Sequence, residues 1–270
     1  MALGLNVSAM LITLTTDFGY QDPFVGIMKG VIAAINPQAR VIDLSHGVPA
    51  QNVMAGALIL EHSARYFASG TIHVVVVDPG VGGARKPILI EHAGNYFVGP
   101  DNGVLSLALE GNAPERIIEL TNADFYLQHI SKTFHGRDIF APVAAHLTLG
   151  VSPTEFGKPL DRLQNLFMPP IVRGENQLDG EIIYADSFGN LFTNIRAHDL
   201  TGLPKERLQV RLAGMRLGGV VANYAAVGAG EFACLFNSWG LLEIAINKGN
   251  VMQRTSAKIG DKVTVTAKDL

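Results

Sequence analysis

The chain has 270 residues, 48% hydrophobic and 17% charged, with a formal net charge of −3 at pH 7; that length holds one large domain or two ordinary ones, with much of it buried and a share of the apolar surface in subunit contacts. The weak acidic balance gives no electrostatic footprint for nucleic acid, and no basic run exists to hold an anionic membrane. Cys234 is the single cysteine, which excludes an intrachain disulfide and a cysteine-based zinc site and suits a reducing, cytoplasmic compartment.

Met1–Ser8 carries no basic start and no long apolar core, so no signal peptide is expected there. Residues 10–18 read as a first strand ending at Asp17. Phe24 to Ile35 has helical periodicity, stopped by Asn36-Pro37, because the residue before a proline leaves the α region. Arg40 to Leu44 is a second strand, Asn52 to Phe67 a second helix, and Thr71 to Val77 a third strand. Ile88–Glu91 and Tyr96–Val98 form a hairpin. Gly103–Leu109 and Phe140–Leu149 read as helices. Strands alternating with helices predict an α/β domain over residues 10–170 with a largely parallel sheet. Residues 151–178, punctuated by Pro and Gly, read as a connection. Short strands follow at Glu181–Ala185, Leu191–Ile195, Leu208–Leu212, Val220–Val227, Phe232–Phe236, Gly240–Ile246 and Lys262–Thr266. They predict an all-β, barrel-like domain over residues 171–270. No stretch reaches the ~20 apolar residues that span a bilayer.

The run Val74-Val75-Val76-Val77-Asp78-Pro79-Gly80-Val81-Gly82-Gly83-Ala84-Arg85 is a buried strand ending in a carboxylate and a glycine-rich loop. Open α/β sheets build ligand sites at strand carboxyl ends. Asp17 and Asp78 both fall there and could face one crevice. Arg85 could fold back on Asp78, either as a structural ion pair or as part of a catalytic group. Thr133-Phe134-His135-Gly136-Arg137-Asp138 adds a second polar cluster, in which Gly136 permits close approach to a ligand and Arg137-Asp138 reads as a local ion pair. Asp17 suits two vicinal hydroxyls or caps the following turn. Asp22-Pro23 reads foremost as an N-cap followed by proline at the first helical position.

In the second domain, Asp186-Ser187-Phe188-Gly189-Asn190 is a hairpin turn or an adenine site, with the Asn190 amide on the purine edge and Phe188 stacked on the ring. Asn237-Ser238-Trp239-Gly240 is another turn, carrying the only tryptophan. Glu243 interrupts an apolar strand and needs a partner. No dinucleotide fingerprint, phosphate-binding loop or nucleophile elbow is present, and no paired histidines at metal-ligand spacing occur.

Taken together, Thr16-Asp17-Phe18-Gly19, Asp78-Pro79-Gly80-Val81-Gly82 with Arg85, Pro100-Asp101-Asn102-Gly103, Phe134-His135-Gly136-Arg137-Asp138, Phe188-Gly189-Asn190 and Asn237-Ser238-x-Gly240 occur in one order. In that order they resemble the S-adenosyl-L-methionine (SAM) hydroxide adenosyltransferases, relatives of the fluorinases and chlorinases. The resemblance runs from Leu11 to about Val265. It implies an α/β domain, a barrel-like domain and a homotrimer with SAM between neighbouring subunits. It also implies hydrolysis of SAM to adenosine and L-methionine, with no metal and no resident cofactor. The halogenating relatives have a tyrosine at the position of Asp78 and a halide-holding serine at that of Gly136. This chain instead matches the Asp-Arg-His triad of the water-using branch, as Asp78, Arg85 and His135. By resemblance Asp17 takes the ribose hydroxyls and Asn190 the adenine. Ser238 and Glu243 touch the rest of the ligand, and Asp22, Phe134, Gly136, Asp186, Phe188, Trp239 and Ile246 complete the binding set. The competing expectations are a halogenase-like enzyme and a non-catalytic SAM or adenosine sensor.

Overall fold

The computed structural model describes residues 11–203 and 207–267; the readings of Met1–Ser8 and of Met10 as the strand start lie outside them. The chain divides between Leu166 and Phe167 into two compact units.

The first unit is built on a seven-stranded sheet in the order β2-β1-β3-β5-β4-β6-β7. Its strands are β1 (Leu11–Thr16), β2 (Arg40–Ser45), β3 (Ile72–Val76), β4 (Pro87–His92), β5 (Asn95–Pro100), β6 (Arg116–Leu120) and β7 (Gly157–Pro159). The first four in that order are parallel, and the remaining pairings are antiparallel. All five residues of β3 are buried, as expected of a strand covered on both faces. Helix α1 (Phe24–Ile35) buries Val25, Met28 and Ile32, one stripe at helical spacing. Asn36 ends it, and its side-chain amide reaches Thr148 Oγ1 at 2.7 Å, at the end of α3 (Ala141–Thr148). Helix α2 (Val53–Ala64) starts at Asn52, whose side chain accepts from the Ala55 N–H.

Three expectations need correction here, and one strand was missed. Pro23, not Asp22, holds the N-cap position of α1, and no side chain caps it; proline has no N–H to satisfy. Gly103–Leu109 is a run of turns ending in a 3₁₀ turn at Leu107–Leu109, because Asn102 Oδ1 takes the Val104 N–H and holds a local turn in place of a helical start. Strand β6 was not foreseen. Residues 151–178 are not a bare connection, since they contain a 3₁₀ turn at Pro153–Phe156, strand β7, the two-residue strand β8 (Val172–Arg173) and the start of β9 (Gln177–Ala185).

The second unit is an antiparallel sheet ordered β12-β11-β15-β9-β10-β14-β13, with β8 on the side of β9. It comprises β10 (Leu191–Arg196), β11 (Leu208–Leu212), β12 (Met215–Gly218), β13 (Phe232–Phe236), β14 (Leu241–Ile246) and β15 (Lys262–Ala267). The two ends of this sheet approach each other through a bridge between Val220 and Cys234. The barrel is therefore nearly closed, and few strand edges stay open. Val220–Val227 is accordingly not a strand; it holds that bridge and a 3₁₀ turn at Tyr224–Ala226. A short helix, α4 (Val251–Thr255), precedes β15. Cys234 is buried in the barrel, and burial pushes its thiol up to about 12, which makes it a core residue without thiolate chemistry.

Candidate active site

Register places the first group of residues. Strands β1 and β3 pair in parallel with Thr16 opposite Val76. Their carboxyl ends therefore release Asp17 and Asp78 side by side, into a cavity of about 420 Å³ lined by Asp17, Asp22, Asp78, Phe134, His135 and Gly136 among others. Within it, Asp17 Oδ2 accepts the Gln51 N–H at 2.7 Å, so the carboxylate is fixed by backbone from outside its own turn and does not cap that turn.

Asp78 and Arg85 have side chains only 4% and 8% exposed. Arg85 Nε lies 2.9 Å from each Asp78 oxygen, and its Nη2 bonds Oδ2 as well, closing a fork. The same Nη2 lies 2.7 Å from His135 Nδ1. Guanidinium only donates, so Nδ1 must be the acceptor and the ring's proton sits on Nε2. Burial, and then the neighbouring Arg85 charge, lower the His135 pKa, which keeps the ring neutral. The order carboxylate, guanidinium, imidazole is thus one continuous chain, with Arg85 Cζ over the Phe140 ring, 5.6 Å from its centroid.

Backbone geometry makes that chain possible. Gly82 has φ +73°, and a Cβ on it would sit 2.2 Å from the Lys132 carbonyl oxygen. Only glycine lets the 78–85 loop press against the segment that carries His135. His135 itself precedes a π-helical turn, Gly136–Phe140, that leads into α3. A Cβ on Gly136 would meet Met28 Sδ at 3.2 Å and Phe134 Cε2 at 3.3 Å, so a serine there would need its neighbours to give way. Arg137 and Asp138 form the local ion pair expected, at 2.5 Å. Asp138 is fully buried and also takes the Ser131 N–H, a structural role.

The second group lies in the barrel unit. Tyr184, Phe192, Glu243 and Leu235 stand opposite one another on four adjacent strands and form one row across the outer face. That row floors a cleft of about 820 Å³, whose walls include Asp186, Phe188, Asn190, Ser238, Trp239 and Ile246. Strand alternation explains why Glu243 interrupts an apolar strand: Leu242 and Ile244 face the core while Glu243 faces the row. Trp239 packs against Tyr184 at 5.2 Å and edge-on to Phe192 at 5.1 Å. The Asp186 turn is a hairpin turn, as read. Asp186 Oδ1 takes the Phe188 and Asn190 N–H groups at 2.9 Å each, and Oδ2 lies 3.2 Å from Asn190 Nδ2. This fixes the amide of Asn190, which is itself buried, while Phe188 stands 74% exposed. Glu243 is 1% exposed and accepts from the Tyr224 hydroxyl at 2.7 Å. Burial raises its pKa.

Every candidate catalytic or substrate-binding residue lines one of these two clefts, except Arg85, which lies behind the first and bonds Asp78 and His135, whereas Arg137, Asp138 and the Pro100–Gly103 motif line neither. Sequence reasoning missed Gln51, Val76, Val81 and Thr133 in the first cavity, and Tyr184, Phe192, Tyr224 and Lys248 in the second. The alternation Tyr184/Asp186 and Phe192/Asn194 was a usable signal for the aromatic row. Nothing local marks Gln51, which contributes a backbone N–H. Among the described residues no group of three or more His, Cys, Asp or Glu side chains is placed to hold a metal ion, and no helix is long and apolar enough to cross a membrane.

Comparison with known proteins follows the same division. Residues 12–157 match the SAM hydroxide adenosyltransferase N-terminal domain and residues 180–264 the C-terminal domain. The (R)-S-adenosyl-L-methionine hydrolase of Salinispora tropica is 37% identical over 259 residues, 95% of this chain and 97% of that protein. A fluorinase of Actinoplanes sp. is 27% identical over 289 residues, 95% of this chain and 97% of its own. An uncharacterized conserved protein from Thermotoga maritima has a crystal structure that superposes with a TM-score of 0.87 at 37% identity, over 95% of this chain and 100% of that one.

Proposed function

The chain belongs to the SAM hydroxide adenosyltransferase family, and we propose that it hydrolyses S-adenosyl-L-methionine to adenosine and L-methionine by attack of water at C5′. The observation that carries this reading is the Asp78–Arg85–His135 chain opening on the same cavity as Asp17. Methionine sulfur leaves as a neutral thioether and takes the C5′–S electron pair with it, so departure needs no acid. A new O–C5′ bond forms, and water gives up one proton. As that bond forms the oxygen becomes a strong acid, so a carboxylate suffices to take the proton. Asp78 is that acceptor, through lone pairs its fork with Arg85 leaves over. Arg85 holds carboxylate and imidazole in one arrangement, and His135 offers Nε2–H to orient the water. Orientation in line with the leaving sulfur supplies much of the acceleration.

In this reading Asp17 accepts from the two ribose hydroxyls, and the fixed Asn190 amide reads the adenine beside Phe188 and the Trp239 wall. Asp22, Phe134 and Gly136 complete the first half-site; Asp186, Ser238, Glu243 and Ile246 complete the second. The ligand groups are split between two units, and the chain is apolar and charge-poor. Both features support a homotrimer in which the first unit of one subunit and the second unit of a neighbour share one SAM. Sedimentation of a SAM-binding monomer would contradict that assembly. A cytoplasmic location belongs to the same proposal and rests on the lone cysteine. No metal or resident cofactor enters the chemistry proposed.

Turnover in ¹⁸O-labelled water tests the central step. Attack at C5′ puts the label in the 5′-hydroxyl of adenosine. Unlabelled adenosine, or 5′-halo-adenosine formed at physiological halide, would overturn the reading.

A further inference from the structure

Behind the Asp17 loop, outside the cavity, lies a polar cluster that the mechanism does not use. His46 has a side chain with no exposed surface, and its Nε2 stands 3.0 Å from Asp43 Oδ1. Its Nδ1 lies 2.8 Å from Thr16 Oγ1, and that oxygen in turn takes the Phe18 N–H at 3.2 Å. The His46 carbonyl takes the Gly19 N–H at 2.8 Å. Asp43 Oδ2 accepts from Lys29 Nζ at 2.6 Å and from the Tyr20 hydroxyl at 2.9 Å. The Tyr20 ring stands edge-on to His46, 5.0 Å away.

These bonds have one direction. Asp43 Oδ1 can only accept, so the ring carries its proton on Nε2, facing it, and Nδ1 accepts the Thr16 hydroxyl proton. Residues 16, 19 and 20 are therefore tied directly to the segment from Asp43 to His46, and Phe18 is tied to it through Thr16. Asp17, in their midst, carries the carboxylate that faces the cavity. A network with a buried core of Thr16 and His46 can lock a side chain that must be held to within a fraction of an ångström.

We infer that His46 and Asp43 are positioning residues for substrate binding, which set the Asp17 carboxylate through Thr16 and the 18–20 backbone without touching substrate. The inference rests on Asp17 being the ribose ligand. The expected signature is a split: His46→Ala raises KM for SAM about tenfold, on the scale of one lost charge-assisted hydrogen bond, and leaves kcat within about threefold. Thr16→Val, nearly isosteric, removes the same link at little risk to folding and should show the same split, with His46→Asn recovering part of the loss. In an Asp17→Ala background either change should have almost no further effect on KM, since coupled residues are not additive. Losses that stay multiplicative in that background, a loss carried by kcat, or an unchanged KM in Thr16→Val would each overturn the positioning role. An Asp17→Ala variant that binds SAM normally would instead remove the ribose reading. Weakened binding by Asp17→Ala without coupling would remove the positioning role alone.

Discussion

The cavity of the first unit and the cleft of the second both depend on carboxylates, but they satisfy them in different ways. Asp78 is forked by a guanidinium that also holds an imidazole, and Asp17 is pinned by a backbone N–H. Each of these acids keeps lone pairs for a ligand or a water. Glu243 is buried against the Tyr224 phenol, with its pKa raised by burial, and Asp186 spends both oxygens on fixing Asn190. The first unit therefore presents charge, while the second presents aromatic faces and an amide. The proposed reaction assigns ionic chemistry at C5′ to the former and recognition of a flat heterocycle to the latter.

The sharpest way to break this contrast is to neutralise one acid in each unit. Asp78→Asn keeps the shape but removes the anionic acceptor. We expect SAM binding by calorimetry to stay nearly normal while single-turnover rates drop by ~10²–10⁴, the usual scale of a general base. A variant that keeps wild-type rates would move the chemistry elsewhere.

The next effect concerns the scaffold of the first unit. His73 is fully buried on β3, hydrogen-bonded to Thr13 Oγ1 at 2.8 Å and stacked on Phe97. Burial lowers its pKa from 6.5 to about 4. Between those values the unfolded chain binds a proton that the folded chain refuses, so stability falls as pH drops through that window. The loss is about 3 kcal/mol when complete. Comparing urea unfolding at pH 7 and pH 4 for the wild type and His73→Gln should show the variant less acid-sensitive by about that amount. Parallel pH curves for the two proteins would refute the assignment.

A smaller effect is expected from Asn190→Ala. It removes a neutral amide worth about 1 kcal/mol per hydrogen bond, so adenosine affinity should fall five- to tenfold with kcat little changed. An effect on kcat alone would argue against an adenine contact. The smallest effect is expected from Glu243→Gln. The amide oxygen still accepts from Tyr224 and no buried charge is stranded, so unfolding free energy should move by less than about 1 kcal/mol. A loss of the 3–5 kcal/mol typical of a broken buried ion pair would show that Glu243 is held like Asp78, and the two units would no longer differ.

Much of the site was legible because its parts are local. The Asp78-to-Arg85 loop lies within seven residues, and the Asp186-to-Asn190 turn within four, so spacing and turn chemistry suffice to pair those groups. Helix α1 was readable to the residue, because its apolar stripe and the Asn-Pro stop are local signals too. Strand β6 and the short β7 carry weaker patterns and are held by pairing with β4 and with each other. Val220–Val227 has the β-branched composition of a strand yet is consumed by the closing bridge to Cys234.

The sequence by itself determined the alternation of strands and helices, the switch to short strands after Gly180, and the placing of acids at strand ends, since each depends on hydrophobic periodicity over a dozen residues. Only the tertiary structure decided which groups meet. The contact of Arg85 with His135 spans 50 residues and that of Thr16 with His46 spans 30. The hold of the Gln51 N–H on Asp17 spans 34. Such partners are chosen by strand register and by where a glycine such as Gly82 lets two backbones close. No local pattern encodes that choice, because a one-residue slip in register would turn every side chain of the strand to its other face.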